Sequence, residues 1–165
     1  MMHNRLRSGI QRFRRLLTRT ETALAGLSLL ALIALTLGQI VARNLFATGL
    51  PVADTLARHL VLYITFFGAA LAADSQRHIR IDSLATWLPE HWLERLHRPL
   101  NGIAALVCAA LTQAAARFWL DEWRYAADAE RWQAALNLII PVGFGLLALH
   151  FLLAVLAGPT RHNAR

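Results

Sequence analysis

The side chains able to do chemistry in this 165-residue chain are few and far apart. Of its seven histidines, only His59 and His150 fall on or beside long apolar blocks. Two histidines between membrane helices could ligate a haem, so their depths decide the matter. His59 stands at the start of the second block, whereas His150 lies about 18 residues into the fourth, which enters from the same side. At 1.5 Å per residue they differ in depth by roughly 20–25 Å. One iron needs both axial ligands within a few ångströms, so the pair is not a haem site. The single Cys108 excludes a disulfide within the chain and a cysteine-only metal site; it reads as a small buried apolar residue. There is no HExxH, Walker loop, nucleophile elbow or cysteine pair. No Asp, Glu or Arg lies mid-block, where ion-coupled carriers place ionisable groups. The chain is therefore expected to be no enzyme and to hold no cofactor or metal.

What remains is polar punctuation at the block ends. Asp54 and Arg58 stand one turn apart and are expected to pair locally. His78 and Asp82, in His78-Ile79-Arg80-Ile81-Asp82, are expected to fix a turn after the second block, with Asp82 capping a helix from Ser83. Arg43 has no acidic neighbour within ten residues. It is expected to reach carbonyls or a carboxylate across a helix contact, within the chain or on a partner, rather than merely to snorkel. Pro141 and Gly143 mark the one break signal, read as a packing kink in a long fourth helix.

These groups must be positioned by apolar helices. The chain is 56% apolar and 16% charged, against about 25% charged in soluble domains. The apolar residues concentrate in four charge-free blocks, and spans are expected at about 22–42, 55–73, 99–116 and 132–157. About 20 helical residues cross a bilayer core, so the expected fold is an all-α membrane protein of four transmembrane helices in one domain, 1–165. Two amphipathic interfacial helices are expected besides. One covers 1–21, with Leu6, Ile10, Phe13 and Leu17 at helical spacing; the other lies between helices two and three, divided at Pro89. The first apolar run is 21 residues with no small-x-small site after it, so it reads as a retained helix rather than a signal peptide.

All 17 basic residues are arginine, and the net charge is +7. Such a balance could suit nucleic acid, but twelve arginines fall on the side of the termini and five on the other. That bias places both termini in the cytoplasm of a bacterial inner membrane. Trp119, Trp123, Tyr125 and Trp132 then flank a periplasmic loop as an interfacial belt.

The stretch from Ala53-Asp54-Thr55-Leu56-Ala57-Arg58-His59-Leu60 through Phe67-Gly68-Ala69-Ala70 to His78-Ile79-Arg80-Ile81-Asp82 resembles the small (Q-type) membrane subunit of tripartite ATP-independent periplasmic, or TRAP, transporters. The resemblance extends over nearly the whole chain, including Arg43-Asn44-Leu45-Phe46 and Ile140-Pro141-Val142-Gly143. Family members often carry two glutamates one turn before the arginine matching Arg58; here Asp54-Thr55 stands there. The resemblance implies a scaffold that pairs with a large permease subunit. That partner carries the substrate and sodium sites, and a periplasmic solute-binding protein delivers an organic-acid-type solute. The alternative is a membrane anchor of an electron-transfer or other enzyme complex. Neither the solute nor the partner-facing helix surfaces are written in these residues.

Overall fold

The computed structural model describes residues 2–46, 49, 51–85 and 90–157, with side chains described for 14–46, 49, 51–74 and 99–156. Five helices follow in order: α1 (Met2–Phe46), α2 (Pro51–Ala85), α3 (Glu90–Tyr125), α4 (Arg131–Leu136) and α5 (Ile139–Ala157). Among the described residues four segments are long and apolar enough to cross a membrane: Arg14–Phe46, Pro51–Asp74, Pro99–Tyr125 and Arg131–Leu156. The described residues contain no strand, and the chain is an all-α membrane protein.

The helices run further than the apolar blocks. The N-terminal amphipathic segment is not a separate helix but the first turns of the 45-residue α1. Its junction with the span holds Thr18, Thr20 and Thr22, and each hydroxyl donates to a carbonyl three or four residues back, at 2.9, 2.8 and 2.7 Å. Polar groups satisfied in this way leave the helix no reason to stop. The backbone of α2 likewise continues through positions 78 and 82 to Ala85, so no turn forms there and Asp82 does not start a helix. The side chains of His78 and Asp82 lie outside the described residues, as does Pro89. The third span is continuous with the segment before it, since α3 begins at Glu90 and passes through Pro99.

The break in the fourth span falls one turn before the proline. Pro141 has no N–H to give the carbonyl of Asn137, and its ring crowds that carbonyl. The helix accordingly ends at Leu136 and restarts at Ile139. Across the gap, Ile140 N–H reaches Asn137 O at 3.0 Å and Val142 N–H reaches Leu138 O at 3.2 Å. The break leaves the Asn137 side chain at the joint.

Packing is in a row. Helix α1 lies on α2, α2 on α5, and α5 on α3, with the short α4 beside α3. The shielded positions of α1 are 14, 18, 21, 25, 28, 32, 35, 39 and 42, with Leu17 added. Those of α3 include 101, 105, 108, 112, 115, 119 and 122. Alternating steps of four and three are the seven-residue repeat of a coiled-coil seam. Small residues at Ala25, Ser28, Ala105, Cys108 and Ala115 suit the close helix approach seen in membranes. In the middle of the row, Phe66 of α2 covers Gly143 of α5; a Cβ at Gly143 would run into its ring. Phe66 also meets Phe144 edge-on, with ring centroids 5.2 Å apart.

A row gives each helix neighbours on two sides at most, so its broad faces stay uncovered. Few apolar side chains are buried, among them Ala53, Phe67, Ala70, Ile139 and Leu153. Leu27, Leu30 and Leu106 are 66%, 68% and 72% exposed. Apolar surface this extensive is a liability in water and ordinary against hydrocarbon or another membrane protein.

Candidate functional site: two polar layers that tie the helices

Most inter-helix polar contacts fall in two layers. One lies at the end of the row that carries the termini, the other near the end that carries the turns between α1 and α2 and between α3 and α4.

At the terminal end, Glu21 of α1 and His150 of α5 are 2% and 3% exposed. His150 Nε2 lies 2.9 and 3.0 Å from the two Glu21 oxygens. A carboxylate only accepts, so Nε2 carries the proton and donates to both. Asp74 of α2 stands beyond the same ring, with Oδ1 3.7 Å from Nδ1. Arg14 of α1 pairs with Asp74 through both Nε (3.1 Å) and a terminal guanidinium nitrogen. The Thr18 hydroxyl stands between them, 3.4 Å from the other Asp74 oxygen. Arg14, Thr18 and Glu21 occupy successive seam positions on α1, so one stripe presents a cation, a hydroxyl and an anion in order. The layer joins α1, α2 and α5, two acidic groups facing one arginine and one histidine.

At the turn end, His59 of α2 is 9% exposed. Its Nδ1 donates to Thr55 O at 2.7 Å and its Nε2 faces Asn137 Oδ1 at 3.0 Å. The Asn137 amide nitrogen donates to Glu122 Oε1 at 2.6 Å. An asparagine thus bridges a histidine on α2 and a glutamate on α3 from the joint before α5. The other Glu122 oxygen is buried without a hydrogen bond, beside a cavity of about 230 Å³ that Tyr125, Glu130 and Gln133 also line. Trp119 Nε1 donates to Ala134 O at 2.8 Å, fastening α4 to α3, and stacks on Trp123 at 5.8 Å. Trp123 and Tyr125 are exposed, at 43% and 86%. On the other edge of this layer Gln39 of α1 donates to Asp54 of α2 at 2.8 Å.

The residues singled out from sequence are placed as follows. Asp54 and Arg58 do not pair: Asp54 is taken by Gln39, and Arg58 donates to Thr55 Oγ1 at 3.3 Å. The reason is that Gln39 on the neighbouring helix offers Asp54 a donor across the α1–α2 seam. Arg43 is exposed in the last turn of α1, with no hydrogen bond or ion pair among the described residues. Pro141 and Gly143 are buried, the first shaping the joint at Asn137 and the second receiving Phe66. His59 and His150, compared from sequence as a ligand pair, belong to different layers. Missed entirely were Arg14, Glu21, Asp74, Glu122 and Asn137. Only the first two left a signal, the four-then-three spacing they share with Thr18.

Four apolar helices in a row, tied by charged groups at both ends, define a multi-pass membrane subunit. The chain belongs to the family of tripartite ATP-independent periplasmic transporters, DctQ component, which matches residues 32–160. It is thus the small membrane component of a TRAP transporter. The match takes in Asp74, His150 and the whole turn-end layer, but begins at position 32, so Arg14, Thr18 and Glu21 lie outside it. No curated protein and no solved structure matches the chain.

Proposed function

We propose that this chain is the fixed accessory scaffold of its transporter, in a bacterial inner membrane with both termini cytoplasmic. It pairs with a large permease subunit that carries the solute and sodium sites, while a periplasmic binding protein delivers an organic-acid-type solute. The observation that carries this reading is the use made of the buried and half-buried ionisable groups. Glu21, Asp74, His150, His59 and Glu122 each hold one helix to another at the ends of the row. A carrier keeps such groups facing a cavity at mid-membrane; here they serve as ties.

Reconstitution tests it. Vesicles holding this chain alone, given a sodium gradient and binding protein, are expected to take up no organic acid. Vesicles that also hold the large subunit are expected to do so, and uptake by this chain alone would sink the reading. For the orientation, alkaline-phosphatase fusions at Gly49 and Ala127 are expected to be active and one after the C-terminus inactive; the reverse pattern would invert the topology.

A further inference from the structure

Between the two polar layers the exposed surface is mostly apolar, and an amide on α3 interrupts it. Gln113 of α3 is exposed, and its amide has no hydrogen-bond partner among the described residues. It lies nine residues along α3 from Glu122, about 13 Å inside the turn-end layer. Along α2 the layers themselves are 15 residues apart, His59 to Asp74, about 22 Å. Gln113 is therefore near mid-depth. The exposed hydroxyls of Thr36 and Thr65 each donate to a carbonyl of their own helix at 2.8 Å. An amide has two N–H donors and a carbonyl oxygen, and mid-helix there is no free N–H to match that oxygen. In hydrocarbon it would stand unsatisfied.

The surroundings of Gln113 point the same way. Ala109, Ala110 and Ala114 beside it are exposed and small, which lets a second helix backbone come close. One turn on, Arg117 is exposed with no ion pair among the described residues. Helix α1, at the other edge of the row, supplies the comparison. Its outward positions Leu27, Leu30, Ala34, Leu37 and Val41 are exposed and wholly apolar. One edge suits lipid; the other asks for a partner with polar atoms.

Resting on the scaffold reading, we propose that the large permease docks along the outward face of α3 through a transmembrane helix. That helix carries a hydroxyl, amide or other polar group opposite Gln113 and an acidic group within reach of Arg117. The outward face of α1 is left to lipid. The test uses the co-expressed complex, with a photo-crosslinking amino acid at Ala110 or Gln113 of α3, or at Leu30 or Leu37 of α1. Adducts with the large subunit are expected from both α3 positions and from neither α1 position. Adducts from α1 alone, adducts of α3 with a second copy of this chain, or lipid adducts alone from α3 would overturn the proposal. Failure of the two subunits to co-purify, seen before irradiation, would instead count against the scaffold reading. As a second measurement, Gln113→Leu is expected to lower the co-purified ratio about three- to twentyfold, the range of hydrogen bonds between membrane helices. Leu30→Gln is expected to leave that ratio unchanged, and equal recovery with Gln113→Leu would refute the role of the amide.

Discussion

Replacing His150 with leucine removes the donor that reaches Glu21 among the described residues. The carboxylate is 2% exposed, so it cannot regain hydration without opening α1 from its neighbours. Breaking a buried pair by deleting one partner costs about 3–5 kcal/mol. The loss in His150→Leu is expected at the upper part of that range, because Asp74 stands 3.7 Å from the same ring. Its removal leaves Glu21 without that donor, while Arg14 stays paired with Asp74. The companion variant, Glu21→Leu with His150→Leu, leaves the Arg14–Asp74 pair matched and fills the site with apolar side chains. Its cost is expected near or below about 1 kcal/mol. The two single variants and the double then give a coupling of roughly 3 kcal/mol or more in a double-mutant cycle. Unfolding of the purified chain from mild detergent into increasing dodecyl sulfate, followed by tryptophan fluorescence, measures all four proteins. If the double variant loses as much as the two single variants added together, the pair is not coupled and the reasoning fails.

Three further outcomes are expected. Asn137→Ala cuts the bridge between His59 and Glu122 and leaves both facing a void; a loss of about 1–3 kcal/mol should show in the same unfolding assay, and an unchanged midpoint would mean that the bridge ties nothing. Gly143→Ala pushes the Phe66 ring off α5 and should cost about 1–3 kcal/mol, with Phe66→Leu restoring part of the loss; an unchanged midpoint would mean that the ring moves freely. Arg43→Ala should leave co-purification with the large subunit and transport near parental, because Arg43 is exposed on the helix at the edge opposite α3; a loss of about tenfold or more, the scale of a charge-assisted contact of roughly 1.5–3 kcal/mol, would mean that the large subunit also reaches the α1 edge. In that case Arg43→Lys should rescue only partly, because the planar fork is lost; parental behaviour of Arg43→Ala shows that the guanidinium simply faces water.

The four spans were legible because hydrocarbon thickness imposes a length on apolar blocks, and charges such as Arg43 and Arg117 mark where blocks end. The extent of the helices was not, because Thr18, Thr20 and Thr22 look like a polar boundary but bond back to their own turns. The polar layers were hidden for a different reason. Glu21 and His150 are 129 residues apart, and each looks ordinary in its own neighbourhood: one precedes an apolar block, the other is a lone histidine late in another. Only the packing order α1–α2–α5–α3 brings them into register. Pro141 was recognised as a break, but its effect is felt four residues earlier, at the carbonyl it cannot serve, and that is what frees Asn137 to act as a bridge. The local pairing of Asp54 with Arg58 failed because a partner across the helix seam displaced a partner along the helix.

The seven-residue repeat on α1 and α3 has a geometric consequence. A straight helix of 3.6 residues per turn drifts about 20° per heptad against such a repeat. Over positions 14 to 42, four heptads, the drift would carry the stripe roughly 80° off its neighbour. The stripe nonetheless stays shielded to Ala42, so the helices must wind about one another with a left-handed twist. The row is then not a flat plank but a slowly turning ribbon, like the blade of a propeller. An edge such as the outward side of α3 follows a helical path through the bilayer, and a straight rod laid against it would part company after a few turns. A companion that grips the whole edge has to lean with it, so the tilt of its helices is already prescribed by the spacing of residues on this chain.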